Sequence, residues 1–555
     1  MRQNPLSSVL STVVKRGSIG PVWFEGREFI RRLFVTVRDE QWQEVAPKEW
    51  TSDIDEPSAT VSISARHVSE VVDFAWQGTL EIADGGRELT FEFTGKVLRD
   101  MKLCRLGLVI LHPVEWMAGA EICAENSNSV QSLRVPNLIS PQPIVDGIPA
   151  AMTQPFSTLR VERSGLGKLE FRFEGDLFEL EDQRNWGDST FKTYCTPLRL
   201  GFPRFVESGT SISHRVRATV SPSRTCDSPP SSHLRKAIPQ SQSAFPKIGR
   251  VRRSADTRGD EEGPSWRHFQ VRIGDDGDLA ELIRPLAQIP SSARLEIALV
   301  PQWDPRPLRS IVSRLSEHHH RIERLLVYGA RSPIPIATVL ERLRIAMDEF
   351  RALCDVPVLS ATQGYFVEFN RAEKFIAPMS GIAFPLTATV HADDADTVVD
   401  NVVTIRDMAD TARGLLRDPQ IAFVPLALYH PRPQALRKFP THLAKPWLVA
   451  SIIEAALSGV TSITLDDDAV KEMSLYPANG IELSLSSLIE CSDMQATAID
   501  SNLPVGVHAV MLNSAEDGAK RLLASNLSSC SQLLAISGSK IELPAYSTLL
   551  RAQHD

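Results

Sequence analysis

Gly381-Ile-Ala-Phe-Pro-Leu386 and Ile421-Ala-Phe-Val-Pro-Leu-Ala-Leu428 are two short apolar runs with a long helical stretch, Asp396 to Leu416, between them. Apolar runs joined through a helix spell a parallel β-α-β unit, because a parallel neighbour is reached only by a crossover. The alternation continues on both sides. Upstream stand Leu295-Glu-Ile-Ala-Leu-Val300, a helical segment from Leu308 to Ser316, Arg324-Leu-Leu-Val-Tyr-Gly329, a helix from Thr338 to Ala352, and Pro357-Val-Leu-Ser-Ala-Thr362. Downstream, a helix from Pro446 to Leu457 leads into Ser462-Ile-Thr-Leu-Asp466. Six such strands predict a TIM-like (β/α) barrel over residues 263–475, with at least two further units degenerate. An open doubly wound sheet is the alternative. No GxGxxG or GxxxxGK[ST] follows any strand, so a nucleotide fingerprint is lacking.

Residues 1–220 have another rhythm. Phe29–Val37, Ala59–Ala65, Phe74–Ile82, Leu89–Gly95 and Leu169–Phe178 alternate apolar and polar residues or are β-branched, and turn signals such as Asp84-Gly85-Gly86 separate them. This predicts an antiparallel β-sandwich, with Trp42, Trp50, Trp76 and Trp116 in its core. Residues 221–262 hold eight serines, five prolines and eight Lys/Arg with almost no aromatics, the composition of a flexible linker. Residues 476–555 return to short strands at Ile481–Leu485, Gly506–Asn513, Gln532–Ile536 and Lys540–Leu550, a small C-terminal β-domain.

Bulk properties narrow the function. The chain has 555 residues, too many for one core, and a net charge of −8 with no basic bias, so no nucleic-acid partner is expected. Seven scattered cysteines without CxxC spacing argue for reduced thiols, and no apolar run is long enough to span a membrane. A soluble cytoplasmic protein without a metal or other cofactor is the expectation.

The densest chemistry lies just past the sandwich strands, in Glu179-Leu-Glu181-Asp182-Gln183-Arg184-Asn185-Trp186-Gly187-Asp188-Ser189-Thr190-Phe191-Lys192-Thr193-Tyr194. Charges and aromatics survive together only if they pair or line a site. Two readings stand. One is a salt-bridged turn locking one domain onto the next, with Glu181, Asp182, Arg184 and Asn185 in one bonded cluster. The other is a polar ligand pocket to which Arg184, Asn185 and Trp186 contribute.

This run resembles the signature of the D-apionate lactonase family. So, in order, do Arg31–Trp42, Arg105–Pro113, Ile139–Pro143, Gly364–Arg371 and Val390–Asp394. The resemblance is strong through residue 394 and weaker afterwards, where Ile463-Thr464-Leu465-Asp466 replaces a Thr-Tyr-Tyr-Glu type strand end. It implies hydrolysis of D-apionolactone to D-apionate in D-apiose catabolism, on a small sugar-lactone substrate.

The barrel supplies places for that chemistry, since reactive groups of parallel α/β folds collect at the carboxyl ends of strands. Past successive strands stand Tyr365, Glu368, Asn370 and Arg371, then His391 with Asp393 and Asp394, then Asp466. Glu368 or His391 is the expected base toward water, buried beside Tyr365 and Phe366, with Asp393 and Asp466 as further catalytic carboxylates. Asn370 would donate to the carbonyl oxygen, and Tyr365 and Arg371 would complete the binding set. One of Asp393 and Asp394 also fits the N-cap of the following helix. His391 lacks a second histidine at helical spacing, so no metal site is expected. Two other functions stay open: a glycoside hydrolase pairing Glu368 with Asp466, and a non-catalytic carbohydrate-binding protein.

Overall fold

The structure, a computed structural model, describes residues 14–15, 17–55, 57–223, 242–252, 266–273, 286–299, 308–328, 345, 348–349, 356–371, 380–429, 439–474, 483–499, 503–536 and 539–553. The chain divides into two compact units: residues 1–184 with 189–234, and residues 185–188 with 235–555.

The first unit is a sandwich of two antiparallel sheets. One has nine strands, running from Val130–Arg134 at one edge through Gly167–Glu174, Ser211–Pro222 and Glu88–Val97 to Pro47–Asp55 at the other. The second, of seven strands, is built on the thirteen-residue strand Met101–Pro113, which pairs with Arg32–Asp39 and Thr190–Cys195. Alternation puts Leu106, Leu108 and Ile110 of that strand into one core with Phe91, Phe93, Phe171 and Phe173 of the other sheet.

Three details differ from the sequence reading. Leu169–Phe178 is not one strand: it breaks at Gly175, where φ is +97° and a Cβ would lie 2.0 Å from the Ser213 carbonyl oxygen, and Phe178 starts a strand of the second sheet. Trp76 and Trp116 are core residues, but Trp42 and Trp50 are 37% and 40% exposed. Trp50 lies on the solvent-facing edge strand, and Trp42 in a tight turn at φ +66°.

In the second unit a closed barrel of eight parallel strands comprises Lys247–Arg252, His268–Ile273, Arg294–Leu299, Ile322–Tyr328, Val358–Ala361, Gly381–Leu386, Gln420–Leu426 and Ser462–Leu465. The first and last strands close it, with Ile248 opposite Ile463 and Gly249 opposite Thr464. The six strands read from the sequence are all present, and the two it missed come first. Lys247–Arg252 falls inside the stretch expected as a linker, most of which lies outside the described residues. His268-Phe-Gln-Val-Arg-Ile273 alternates because it turns polar side chains into the lumen, where an apolar run was the expected signal.

Those lumen side chains bond to one another at the amino end of the barrel. Glu323 meets Lys247 at 2.5 Å and His268 at 3.2 Å, and Gln270 donates to Glu296 at 2.6 Å. Arg324, on the fourth strand, crosses to Ser462 Oγ of the eighth at 3.0 Å. Further along, Ala298, Ala361, Ala383 and Ala422 pack with Leu326, Tyr328, Leu359 and Val424 in one buried cluster.

Asp396–Leu416 is two helices, Ala395–Asn401 and Thr404–Leu415. Val402 and Val403 between them keep right-handed helical angles, so the break is a kink. The helix expected over Thr338–Ala352 lies almost wholly outside the described residues. Ala444–Leu457 is buried almost all round and packs against a terminal antiparallel sheet of Gln495–Ala498, Val507–Asn513, Lys520–Asn526 and Ser547–Gln553. Ser243–Ala244, from before the barrel, joins that sheet beside Gln495–Ala498. Where a strand was expected at Ile481–Leu485, the described part starts a helix, Leu485–Glu490, capped by Ser484, because Leu485, Leu488 and Ile489 recur at helical spacing. No helix among the described residues is long and apolar enough to cross a membrane.

Candidate functional site

In the second unit, the segment Asn185–Asp188 and the loop after the sixth barrel strand meet. A single 3-10 turn, Gln183–Trp186, ends at Gly187, whose φ of +95° suits glycine and turns the chain so that Asp188 is buried. Asp188 accepts a hydrogen bond from His391 Nδ1 at 2.5 Å and another from Asn401 Nδ2 at 3.1 Å. Asn401 also donates to the Ala388 carbonyl at 3.2 Å, fixing it to the loop that carries His391. The hydroxyls of Thr387 and Thr389 brace that loop on the Leu428 carbonyl, at 3.1 and 3.2 Å. A carboxylate only accepts, so His391 Nδ1 carries the proton and Nε2 is the basic nitrogen of the ring. The His391 side chain is 24% exposed, open to a small molecule.

An aromatic wall stands beside this dyad. Trp186 lies edge-on to His391 with centroids 5.8 Å apart and to Tyr365 at 5.3 Å, and the Arg371 guanidinium sits over its ring at 5.6 Å. Asn370, buried on the short helix Val367–Arg371, donates to Asn185 Oδ1 at 2.9 Å. The structure thus gathers Asn185, Trp186, Tyr365, Asn370, Arg371 and His391 into one contiguous set. Sequence reasoning missed Asp188 and Asn401. The Trp186-Gly187-Asp188 triplet, a glycine leading into an acid within a polar run, was the available signal for the first.

The remaining expected residues border this set or cap helices. Glu368 is exposed, not buried among aromatics. It faces out from its helix and pairs with Arg371 at 3.4 Å. Asp394 is the N-cap, accepting from Thr397 N at 3.0 Å, and Asp393 stands half-buried between it and His391. Asp466 follows the eighth strand and accepts from Ala469 N at 2.8 Å, capping the helix Asp467–Ser474.

In the first unit, Arg184 is wholly buried, which removes it from any ligand surface. It forks onto Asp182 at 2.9 and 2.8 Å and donates to the carbonyls of Asn137 and Leu138. Within that unit Glu181 pairs with Lys192 at 2.9 Å and accepts from Gln142 at 3.1 Å. Burial pulls the Lys192 amine down to about 8 against the upward pull of Glu181.

Asp176, Cys195 and His214 bring three potential metal ligands within 4.8 Å of one another. Their atoms are already engaged. Leu108 N–H donates to His214 Nδ1 at 3.3 Å, Thr196 Oγ1 donates to Asp176 at 2.5 Å, and burial pushes the Cys195 thiol up, holding it protonated. The trio acts as a hydrogen-bonded core cluster of the sandwich.

Comparison with known proteins bears on both units. Residues 4–223 match the family model "D-apionate lactonase, N-terminal domain", and residues 266–466 match "D-apionate lactonase, TIM barrel domain". A curated D-apionate lactonase of Brucella anthropi is 28% identical over 225 residues, 39% of this chain. The match spans about a third of that relative, 35% of its length. Among solved structures, the GH36 alpha-galactosidase AgaA of Geobacillus stearothermophilus aligns over 94% of this chain and 88% of its own at 9% identity and a TM-score of 0.27. A conserved exported protein of Bacteroides fragilis aligns over 56% of this chain and 98% of its own at 10% identity and a TM-score of 0.37. Scores of this size carry no argument.

Proposed function

The chain belongs to the D-apionate lactonase family, and from that premise we propose that it opens a sugar lactone, D-apionolactone, to the open-chain acid D-apionate in the breakdown of D-apiose. The observation that carries this reading is the Asp188–His391 pair. A histidine oriented by a buried carboxylate is a general base whose charged form is stabilised as it takes a proton. His391 Nε2 removes a proton from water, and the water oxygen bonds to the lactone carbonyl carbon. The tetrahedral intermediate expels the ring oxygen, which takes the proton back from the imidazolium. The ring C–O bond breaks, a hydroxy acid forms, and His391 returns to its starting state. Trp186 and Tyr365 offer an apolar wall for the sugar ring, and Arg371 places a positive charge beside it.

The cytoplasm is the proposed site of action. Cys104, Cys123, Cys195, Cys491 and Cys530 are free thiols, as a reducing compartment keeps them. The test is acid release from a panel of aldonolactones at constant pH. D-apionolactone should be hydrolysed fastest, and His391→Asn should abolish the reaction with the fold intact. Acid release from none of the lactones, or a parent rate in His391→Asn, overturns the reading.

A further inference from the structure

Trp42 stands apart among the aromatics of the sandwich unit, a bulky residue held at φ +66° and left 37% exposed. The turn that presents it is tightly bonded. Asp39 accepts from the amides of Gln41 and Gln43 at 3.0 and 2.8 Å, and Arg38 Nη1 donates to the Trp42 carbonyl at 3.1 Å. Phe202 stands edge-on to the Trp42 ring at 5.1 Å. Backbone strain that its surroundings hold in place clusters where proteins meet ligands.

The guanidinium of Arg105 lies 5.6 Å from the Trp42 ring and 3.7 Å from that of Tyr194. Arg105 is only 6% exposed. Its one hydrogen bond among the described residues runs from Nη1 to the Cys195 carbonyl at 3.1 Å, and no described carboxylate lies within ion-pair reach of it. Nε and Nη2 make no bond there and stay open to solvent. The acids of the neighbourhood are engaged elsewhere. Glu179 accepts from the Tyr194 hydroxyl and from Leu198 N, both at 3.1 Å, Glu181 pairs with Lys192, and Asp176 accepts from the Thr196 hydroxyl. A charge this deep without a counterion destabilises a fold, and a bound anion relieves it.

Arg105, Thr196, Phe202 and Arg204 line one shallow cleft, and no acidic residue is among its lining. Arg204 is exposed and bonded among the described residues only through Nη2, to Thr196 Oγ1 at 3.1 Å, so it brings a second guanidinium to the mouth. The enclosed part of the cleft measures about 10 Å³, the room of a single water. That admits one carboxylate oxygen and leaves the body of a ligand outside, against Trp42.

We propose that the cleft between Arg105 and Arg204, with Trp42 beside it, is a subsite of the sandwich unit that binds the carboxylate of a sugar acid. The free Nε–Nη2 edge of Arg105 takes the carboxylate, and the carbon chain lies on the Trp42 ring. The preference for a carboxylate comes from the cleft; the choice of a sugar acid rests on the lactonase reading. A neutral sugar would leave the guanidinium unpaired, and inorganic phosphate has no carbon body for Trp42.

The experiment is calorimetric titration of the full chain with sodium D-apionate, the neutral sugar D-apiose and inorganic phosphate, in the parent, Arg105→Gln, Arg204→Gln, Trp42→Gly and His391→Asn. Lactone hydrolysis by the parent is followed separately. The parent should bind D-apionate and not D-apiose. Arg105→Gln should weaken D-apionate by about tenfold or more, and Arg204→Gln and Trp42→Gly by about threefold or more. His391→Asn should keep the parent affinity, which places the signal outside the barrel loop. Arg204 is exposed and glycine suits a φ of +66°, so those two variants keep the test decisive if Arg105→Gln does not fold. A purely structural Arg105 would give parent-like affinity in folded Arg204→Gln and Trp42→Gly, and that result overturns the subsite. So do a parent that binds no D-apionate, tighter binding of phosphate than of D-apionate, and loss of the signal in His391→Asn. If binding depends on Arg105 and Arg204 but no lactone is hydrolysed, the subsite stands and the lactonase reading falls.

Discussion

Asp188 and His391 are 203 positions apart in the chain and 2.5 Å apart in space. The carboxylate comes from a four-residue segment of the sandwich half of the sequence that folds with the barrel unit, and the imidazole comes from the loop after the sixth strand. Asp188→Asn keeps the shape but can donate to Nδ1, which favours the wrong tautomer. Lactone hydrolysis should drop on the order of a hundredfold or more. Glu368→Gln should stay within about threefold of the parent, because that carboxylate faces solvent. Steady-state rates of the two variants check both statements, and the reverse ranking would move the base to Glu368.

Gly187→Ala tests how that segment is held. A Cβ there would meet Met408 Cε at 3.6 Å and the Thr387 oxygen at 3.7 Å, ordinary contacts, so space is not the obstacle. The obstacle is the φ of +95°, which costs a residue with a Cβ about 1–3 kcal/mol. A lowered melting temperature together with a loss of hydrolysis larger than that of a distant surface variant is expected.

Arg184→Lys probes the sandwich. A lysine cannot fork onto Asp182 and also reach two backbone carbonyls from a wholly buried position. Stability of the first unit should fall by about 2 kcal/mol or more, read as an earlier unfolding transition. An unchanged transition would mean that water takes over the lost contacts.

Acid should weaken the barrel through Glu323. Burial works to raise its carboxyl, but hydrogen bonds from His268 and Lys247 and their charges outweigh it and hold the group at about 2. Its unfolded value is about 4.3, so the folded value is the lower one. The stabilisation is complete above about pH 5 and drains away as pH falls toward 2. Glu323→Gln should flatten that part of the stability-versus-pH curve, measured by urea unfolding from pH 6 down to 3. A parent-like slope in the variant would show that other carboxylates govern acid unfolding.

Glu454 is buried on the helix Ala444–Leu457 and accepts from Arg406 and, at 2.6 Å, from His508 Nδ1 of the terminal sheet. Glu454→Gln takes a wholly buried charge away from the half-buried Arg406 and the buried His508, so it should cost about 3–5 kcal/mol. The double variant Glu454→Leu with Arg406→Leu should cost less than the single one. Melting curves of the three proteins decide.

Strand–helix alternation was legible wherever strands are apolar on both faces, as in Gly381–Leu386 and Gln420–Leu426. It failed at His268–Ile273 because every second residue there serves a polar lumen, and at Lys247–Arg252 because a basic strand resembles a linker. The run from Glu179 to Tyr194 was legible as a dense polar cluster, yet its most conspicuous cation, Arg184, is buried against Asp182 and two backbone carbonyls, while Asp188 pairs with His391. No local rule could show this, since the partner of Asp188 lies in another half of the sequence. Glu368 looked buried because aromatics adjoin it in sequence. On a helix, adjacent residues face different ways, and Phe366 and Phe369 go in while Glu368 goes out.

The two residues Ser243–Ala244 look negligible beside an eight-stranded barrel, yet they hydrogen-bond to Gln495–Ala498, a strand formed after the barrel is complete. The leader and the trailer of the barrel are stitched together next to the seam where its first and eighth strands meet. A ring fastened in this way is inherited whole. Recombination that exchanged the tail alone would carry off one side of the clasp and leave the lead strand without its neighbour. Shuffling of such genes should therefore break before residue 243 far more often than at the barrel's end, and variants with exchanged tails should need both partners from the same parent.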